Sequence, residues 1–177
     1  MVLGQILGIL AYLLPAIVLY LALRYGMQAY LNNEEKKRLA ARQSAYDESL
    51  LPLKLQACER LILLLERITP AQAVNRALQP GMTAYEFQMT LLKNIREEFE
   101  HNVAQQLYIS PACWSLIRTA KEQVIHMVNI SASETPSDST AANMARLLIE
   151  NWSTLDQNPV QSAIDQLKNE ILFNAKC

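Results

Sequence analysis

Residues 83–110 read "TAYEFQMTLLKNIREEFEHNVAQQLYIS". Thr83-Ala84-Tyr85-Glu86 opens the stretch as a capping box, in which a hydroxyl and a carboxylate each take up an orphan N–H of a starting helix. Ser110-Pro111 closes it as the N-cap and first residue of a further helix. No glycine or proline lies between, and apolar residues recur at helical spacing, so a helix is expected from Ala84 to about Tyr108. Its apolar face is centred on Leu92, with Tyr85, Phe99 and Val103 close by.

The neighbouring segments read the same way. Upstream, "ESLLPLKLQACERLILLLERI" (48–68) is a very apolar helix whose charged pairs, Glu59-Arg60 and Glu66-Arg67, share a face. Thr69-Pro70 caps and starts a short helix to about Leu78, and Gln79-Pro80-Gly81 breaks the chain. Downstream, a helix runs from Pro111 to about Ile130, and "SASETPSDS" (131–139) is the clearest loop. A helix over 139–155 carries Ala141, Met144, Ala145, Leu148, Trp152 and Leu155 on one face. A last one from Pro159 carries Val160, Ile164, Leu167 and Ile171. Short connections between helices of this length predict antiparallel neighbours in a bundle.

Composition agrees with an all-α chain. Of 177 residues 51% are hydrophobic, and there are only four glycines: Gly4, Gly8, Gly26 and Gly81. Gly81 alone lies beyond residue 26, too few for hairpin-rich β-structure. No repeat of solenoid period is present.

From Val2 to Leu23, "VLGQILGILAYLLPAIVLYLAL", there is no charged side chain. A helix of that length spans about 33 Å, enough for the hydrocarbon core of a bilayer. No basic residue precedes the run and Arg24-Tyr25 follows it, unlike a cleavable signal peptide. The expectation is a single N-terminal transmembrane helix (1–25), a juxtamembrane polar helix or linker (26–46) and a helical bundle (47–177). Membrane lipid is then a partner through residues 2–23. Gly4 and Gly8 form a GxxxG, which lets two membrane helices approach closely.

Charge orients the chain. Arg24, Lys36, Lys37, Arg38 and Arg42 all follow the apolar run, so the positive-inside rule predicts an inner-membrane protein with its C-terminal domain cytoplasmic. Cys58, Cys113 and Cys177, odd in number and without CxxC spacing, suit a reducing compartment. Residues 43–177 carry more acids than bases, which argues against nucleic acid. The sequons at Asn129 and Asn151 fall in expected helices and would matter only outside the cytoplasm.

Chemistry is sparse. "REEFEHN" (96–102) gathers three carboxylates and one of the two histidines. Glu98 and His101 have the i, i+3 spacing of carboxylate-bridged di-iron bundles, but the other histidine, His126, has Glu122 four residues before it, not three. Glu59 or Glu66 would add a ligand. Phase opposes this: His101 lies nine residues from Leu92, about half a turn away, and His126 lies equally far from core Ile117. The expected surface is a solvated acidic face or a polar contact surface, with no metal or other cofactor. Cys58 and Cys113 on apolar helices read as buried thiols. No phosphate loop, GxSxG or HExxH is present. The reading favours a non-enzymatic interaction module with a protein partner or self-association; a metal-dependent redox enzyme using Glu98, His101, Glu122 and His126 is the alternative.

The runs "LKLQACERLILLLERI" (53–68), "LLKNIREEFEHNVAQQLYIS" (91–110) and "TAKEQVIHMVN" (119–129) resemble an uncharacterised family of small bacterial proteins of Bacteroidetes type. The resemblance implies one N-terminal membrane helix and a helical cytoplasmic domain of unknown function. It carries no residue role.

Overall fold

In the computed structural model the chain is all-α, six α-helices and one 3-10 helix, with no strand among the described residues. The structure describes the backbone of residues 2–136 and 139–174, and the side chains of 17–46, 48–136 and 139–171. The chain divides into two compact units, Met1–Leu50 and Leu51–Cys177.

Helix α1 runs without interruption over Val2–Ile68. The polar segment expected over 26–46 continues as helix into the apolar segment 48–68, and the reason is local. Between Gly26 and Ile68 the strongest helix breaker is Pro52, which removes one backbone bond but has only leucines and a lysine within two residues of it. Among the described residues no helix is long and apolar enough to cross a membrane. Most of the expected span Val2–Leu23, with Gly4 and Gly8, lies outside the residues whose side chains are described, as does Cys177.

The second unit contains the core. The remaining helices are α2 (Pro70–Ala77), α3 (Ala84–Asn102), α4 (Pro111–Ser133), α5 (Ala141–Ser153) and α6 (Pro159–Asn174). Helix α4 packs against α3, α5 and α6, and α2 closes on α3 and α5. Leu61, Leu64, Leu65 and Ile68 of α1 join Phe87, Leu91, Ile95, Ile117, Val124, Met144, Leu148 and Leu167 in a single cluster. The expected faces of α5 and α6 are the buried ones, with Trp152, Leu155 and Ile171 at the edge.

Two boundaries differ from expectation. Helix α3 stops at Asn102, and residues 103–108 form a 3-10 helix with no buried residue. Asn102 donates its side-chain amide to the Glu98 carbonyl and Val103 N–H bonds Glu100 O, which tightens the turn. Helix α4 extends to Ser133, taking the first residues of the expected loop. The N-termini of α3 and α5 are tied by an antiparallel bridge, with Ala84 N–H donating to Ser139 O and Ala141 N–H to Met82 O.

Caps follow the sequence in two cases and depart in one. Thr83 and Glu86 make the full capping box. Ser110 Oγ accepts from Cys113 N–H. Thr69 stands at the N-cap of α2 but donates its hydroxyl backward to Glu66 O at 2.7 Å, so it binds the end of α1 instead of capping α2.

Candidate functional site

The core face of α3 is turned toward Leu91 relative to the expectation. Ala84, Phe87, Leu91, Leu92 and Ile95 are buried. Tyr85 (68% exposed) and Val103 (42%) lie outside the face assigned to them. A tyrosine ring is at ease at a wet edge, whereas small Ala84 fits close packing, so treating both as equal apolar signals displaced the phase.

That rotation moves Glu98 inward. Its side chain is only 18% exposed and accepts from Arg67 Nη1 at 2.8 Å, while Arg76 Nη1 stands 3.8 Å away. One carboxylate from α3 thus joins arginines of α1 and α2. REEFEHN is therefore not uniformly solvated, since its middle glutamate anchors an inter-helix charge cluster.

The other candidate ligands are elsewhere. His101 is exposed, and its Nδ1 lies 2.7 Å from Glu97 O. A carbonyl only accepts, so Nδ1 carries the hydrogen and Nε2 is the open nitrogen. His126 is exposed and Glu122 pairs with Lys121 at 2.8 Å. Glu59 and Glu66 are exposed. Among the described residues no three His, Cys, Asp or Glu side chains gather as a possible metal set.

A groove on the second unit is lined by Arg60, Leu63, Arg67, Glu98, His101 and Asn102. A smaller recess shares Arg67 and Glu98 with it and adds Arg76 and Asn94 over a floor of Ile68, Ala73 and Ile95. Together the two hollows bring Arg60, Arg67, Arg76 and Glu98 to concave surface.

A second polar cluster surrounds the thiols. Cys58 and Cys113 are buried and free. Glu170 of α6 accepts from Ser110 N–H at 2.7 Å and from Ser110 Oγ at 2.6 Å. Burial first, then the Glu170 charge, the hydrogen bond to Glu170 and the proximity of Cys58, pushes the Cys113 thiol up to about 12. Cys58 is raised by burial and then by Glu170. Thiols held protonated are poor nucleophiles.

Sequence reasoning missed further polar contacts between helices. Lys121 Nζ lies 4.4 Å over the Phe99 ring, which stacks on Trp114 at 5.2 Å. Gln88 donates to Asn129 Oδ1, and Asn151 donates to Ser131 Oγ and Glu134, so both sequon asparagines serve helix packing. No local signal announces these pairs, because each joins positions on different helices.

The sequence matches a family model described as "Family of unknown function (DUF7935)" over residues 4–172. The chain belongs to this family. The match takes in most of both units, including α1 from residue 4 onward and all the residues of the arginine groove and the thiol cluster. No curated protein and no solved structure matches this DUF7935 chain.

Proposed function

We propose that this chain is a membrane-tethered, non-enzymatic helical interaction module, an adaptor or accessory subunit of an inner-membrane assembly. The observation that carries the reading is on α1. Leu61, Leu64 and Leu65 are wholly buried, yet Leu51, Leu53, Leu55 and Leu63 of the same helix remain 39–54% exposed. Apolar side chains left exposed after the core has closed provide surface suited to another protein or a second copy.

The charge-free run Val2–Leu23 supports the tether, with a GxxxG at Gly4 and Gly8 as a point of self-association. Basic residues confined to the C-terminal flank support a cytoplasmic second unit with the N-terminus outside. A mildly acidic second unit supports a protein partner over nucleic acid.

Light scattering and elemental analysis of one detergent-purified sample test the reading. An oligomer or stable complex without stoichiometric metal is expected. A strict monomer carrying about two irons per chain would replace it with the redox-enzyme alternative built on carboxylate and histidine ligands. Reporter fusions at residue 177 test orientation, and extracytoplasmic activity there would overturn the cytoplasmic assignment.

A further inference from the structure

The arginine groove holds more positive charge than its own residues need. Arg60, Arg67 and Arg76 line the groove and its adjoining recess, and Glu98 is the only carboxylate lining either. Two positive charges are left over, the charge of a phosphate monoester dianion with the sign reversed. Arg60 has no ion-pair partner among the described residues, and it stands seven residues before Arg67 on the same face of α1. Arg67 and Arg76 are 51% and 52% exposed, so their remaining donors point to accessible space. A guanidinium presents a planar fork of donors that matches phosphate oxygens two at a time.

The geometry also provides a way to release a donor. Glu98 is in hydrogen-bond contact with Arg67 at 2.8 Å and has Arg76 waiting at 3.8 Å. If Arg67 turned from Glu98 toward a ligand, Arg76 could take its place, and a largely buried carboxylate would keep a partner. Without that replacement, the cost of an unpaired Glu98 would offset most of the free energy of binding. Two arginines around one glutamate therefore make Arg67 exchangeable.

We propose that the groove between Arg60 and Arg67 binds a phosphoryl group, with Arg76 a positioning residue that holds Glu98 aside. His101 and Asn102 form the rim, and Leu63 gives the site an apolar flank for the body of the phosphate ester. This goes beyond the interaction-module reading and does not depend on it. The phosphoryl group belongs either to a soluble monoester or to an anionic lipid headgroup.

Isothermal titration of the full-length chain in zwitterionic detergent with glycerol 3-phosphate tests the site. Saturable binding with a Kd below about 1 mM is expected. Arg60→Gln, which breaks no ion pair, should weaken it about tenfold, and Arg67→Gln at least as much. Glu98→Gln should tighten binding by removing the competing charge, a change that a purely structural salt bridge would not produce. Arg76→Gln should weaken binding although it lies outside the groove, because Glu98 then keeps Arg67. Repeating the titration in micelles doped with phosphatidic acid separates the sources. An unchanged affinity identifies a soluble monoester, and a fall of about tenfold or more identifies a competing headgroup. No binding by the wild-type chain, or binding indifferent to Arg60→Gln, overturns the proposal.

Discussion

Glu170 on α6 completes the N-cap of α4. Its carboxylate accepts from Ser110 N–H and Ser110 Oγ, while Ser110 Oγ accepts from Cys113 N–H. In a local capping box the residue three positions on would accept the N-cap N–H. Here that residue is Cys113, which cannot, and a glutamate sixty positions away does it instead. The bonds are short, charge-assisted and partly buried. Glu170→Ala should therefore cost about 1–3 kcal/mol, and Ser110→Ala about 1–2 kcal/mol. The two losses should be less than additive, because both remove the bond from Ser110 Oγ to Glu170. Urea denaturation of the two single variants and the double variant gives the coupling, and an additive result would mean that the pair does not interact in solution.

The same carboxylate also acts on the thiols, second to their burial. Cys113 and Cys58 have raised pKa values, from burial first and the Glu170 charge second. Labelling of Cys58 and Cys113 by a thiol-specific reagent at pH 8, followed in a Cys177→Ser background, should be slow in the folded chain and fast in denaturant. Glu170→Gln should hasten it modestly, because burial remains. A thiol whose folded pKa is raised binds more protons folded than unfolded at alkaline pH. Its contribution is intact below the unfolded value of 9.0 and is lost as pH climbs toward about 12. Stability should thus fall over that window, and less steeply in Cys113→Ala. A flat profile in both chains would contradict the assignment.

At the start of α3 the sign reverses. Glu86 is lowered from the ordinary carboxylate value by its hydrogen bonds to the Thr83 backbone and side chain. Thr83→Ala should cost about 1 kcal/mol at neutral pH through loss of the cap. A depressed carboxylate contributes above its unfolded pKa of 4.5 and ceases to as pH falls through the lower folded value. The difference between wild type and Thr83→Ala should therefore shrink in acid. A gap that stays constant down to about pH 2 would remove Glu86 from the cap.

Core and edge positions on α3 and α4 should separate cleanly. Leu91→Ala should cost about 2–5 kcal/mol, and Leu92→Ala should fall in the same range. Phe99→Ala also loses the Trp114 stack and the Lys121 contact, so about 3–5 kcal/mol is expected for it. Tyr85→Ala, Val103→Ala, His101→Ala and His126→Ala all change exposed residues and should each stay below about 1 kcal/mol. Histidine variants as damaging as Leu91→Ala would point to a buried polar site at those positions. Chemical denaturation of these single variants provides the comparison.

The local signals in this chain were determined by sequence alone. Thr83 with Glu86, Ser110 with Pro111, and the faces of α5 and α6 depend only on residues within a turn or two of one another, so one-dimensional spacing is enough to read them. The buried state of Cys58 and Cys113 and the outward placement of His101 and His126 follow from the same periodicity. What tertiary structure alone decided are the features that join distant positions. The continuity of α1 through Pro52, the rotation of the α3 core toward Leu91 and the turn to 3-10 geometry at Val103 each reflect packing or hydrogen-bond competition near balance locally. Glu98 shows this most plainly, because its neighbours in sequence mark it as part of a solvated face. Its neighbours in space, Arg67 and Arg76, come from two other helices and draw it inward, since a largely buried carboxylate is stable only beside positive charge.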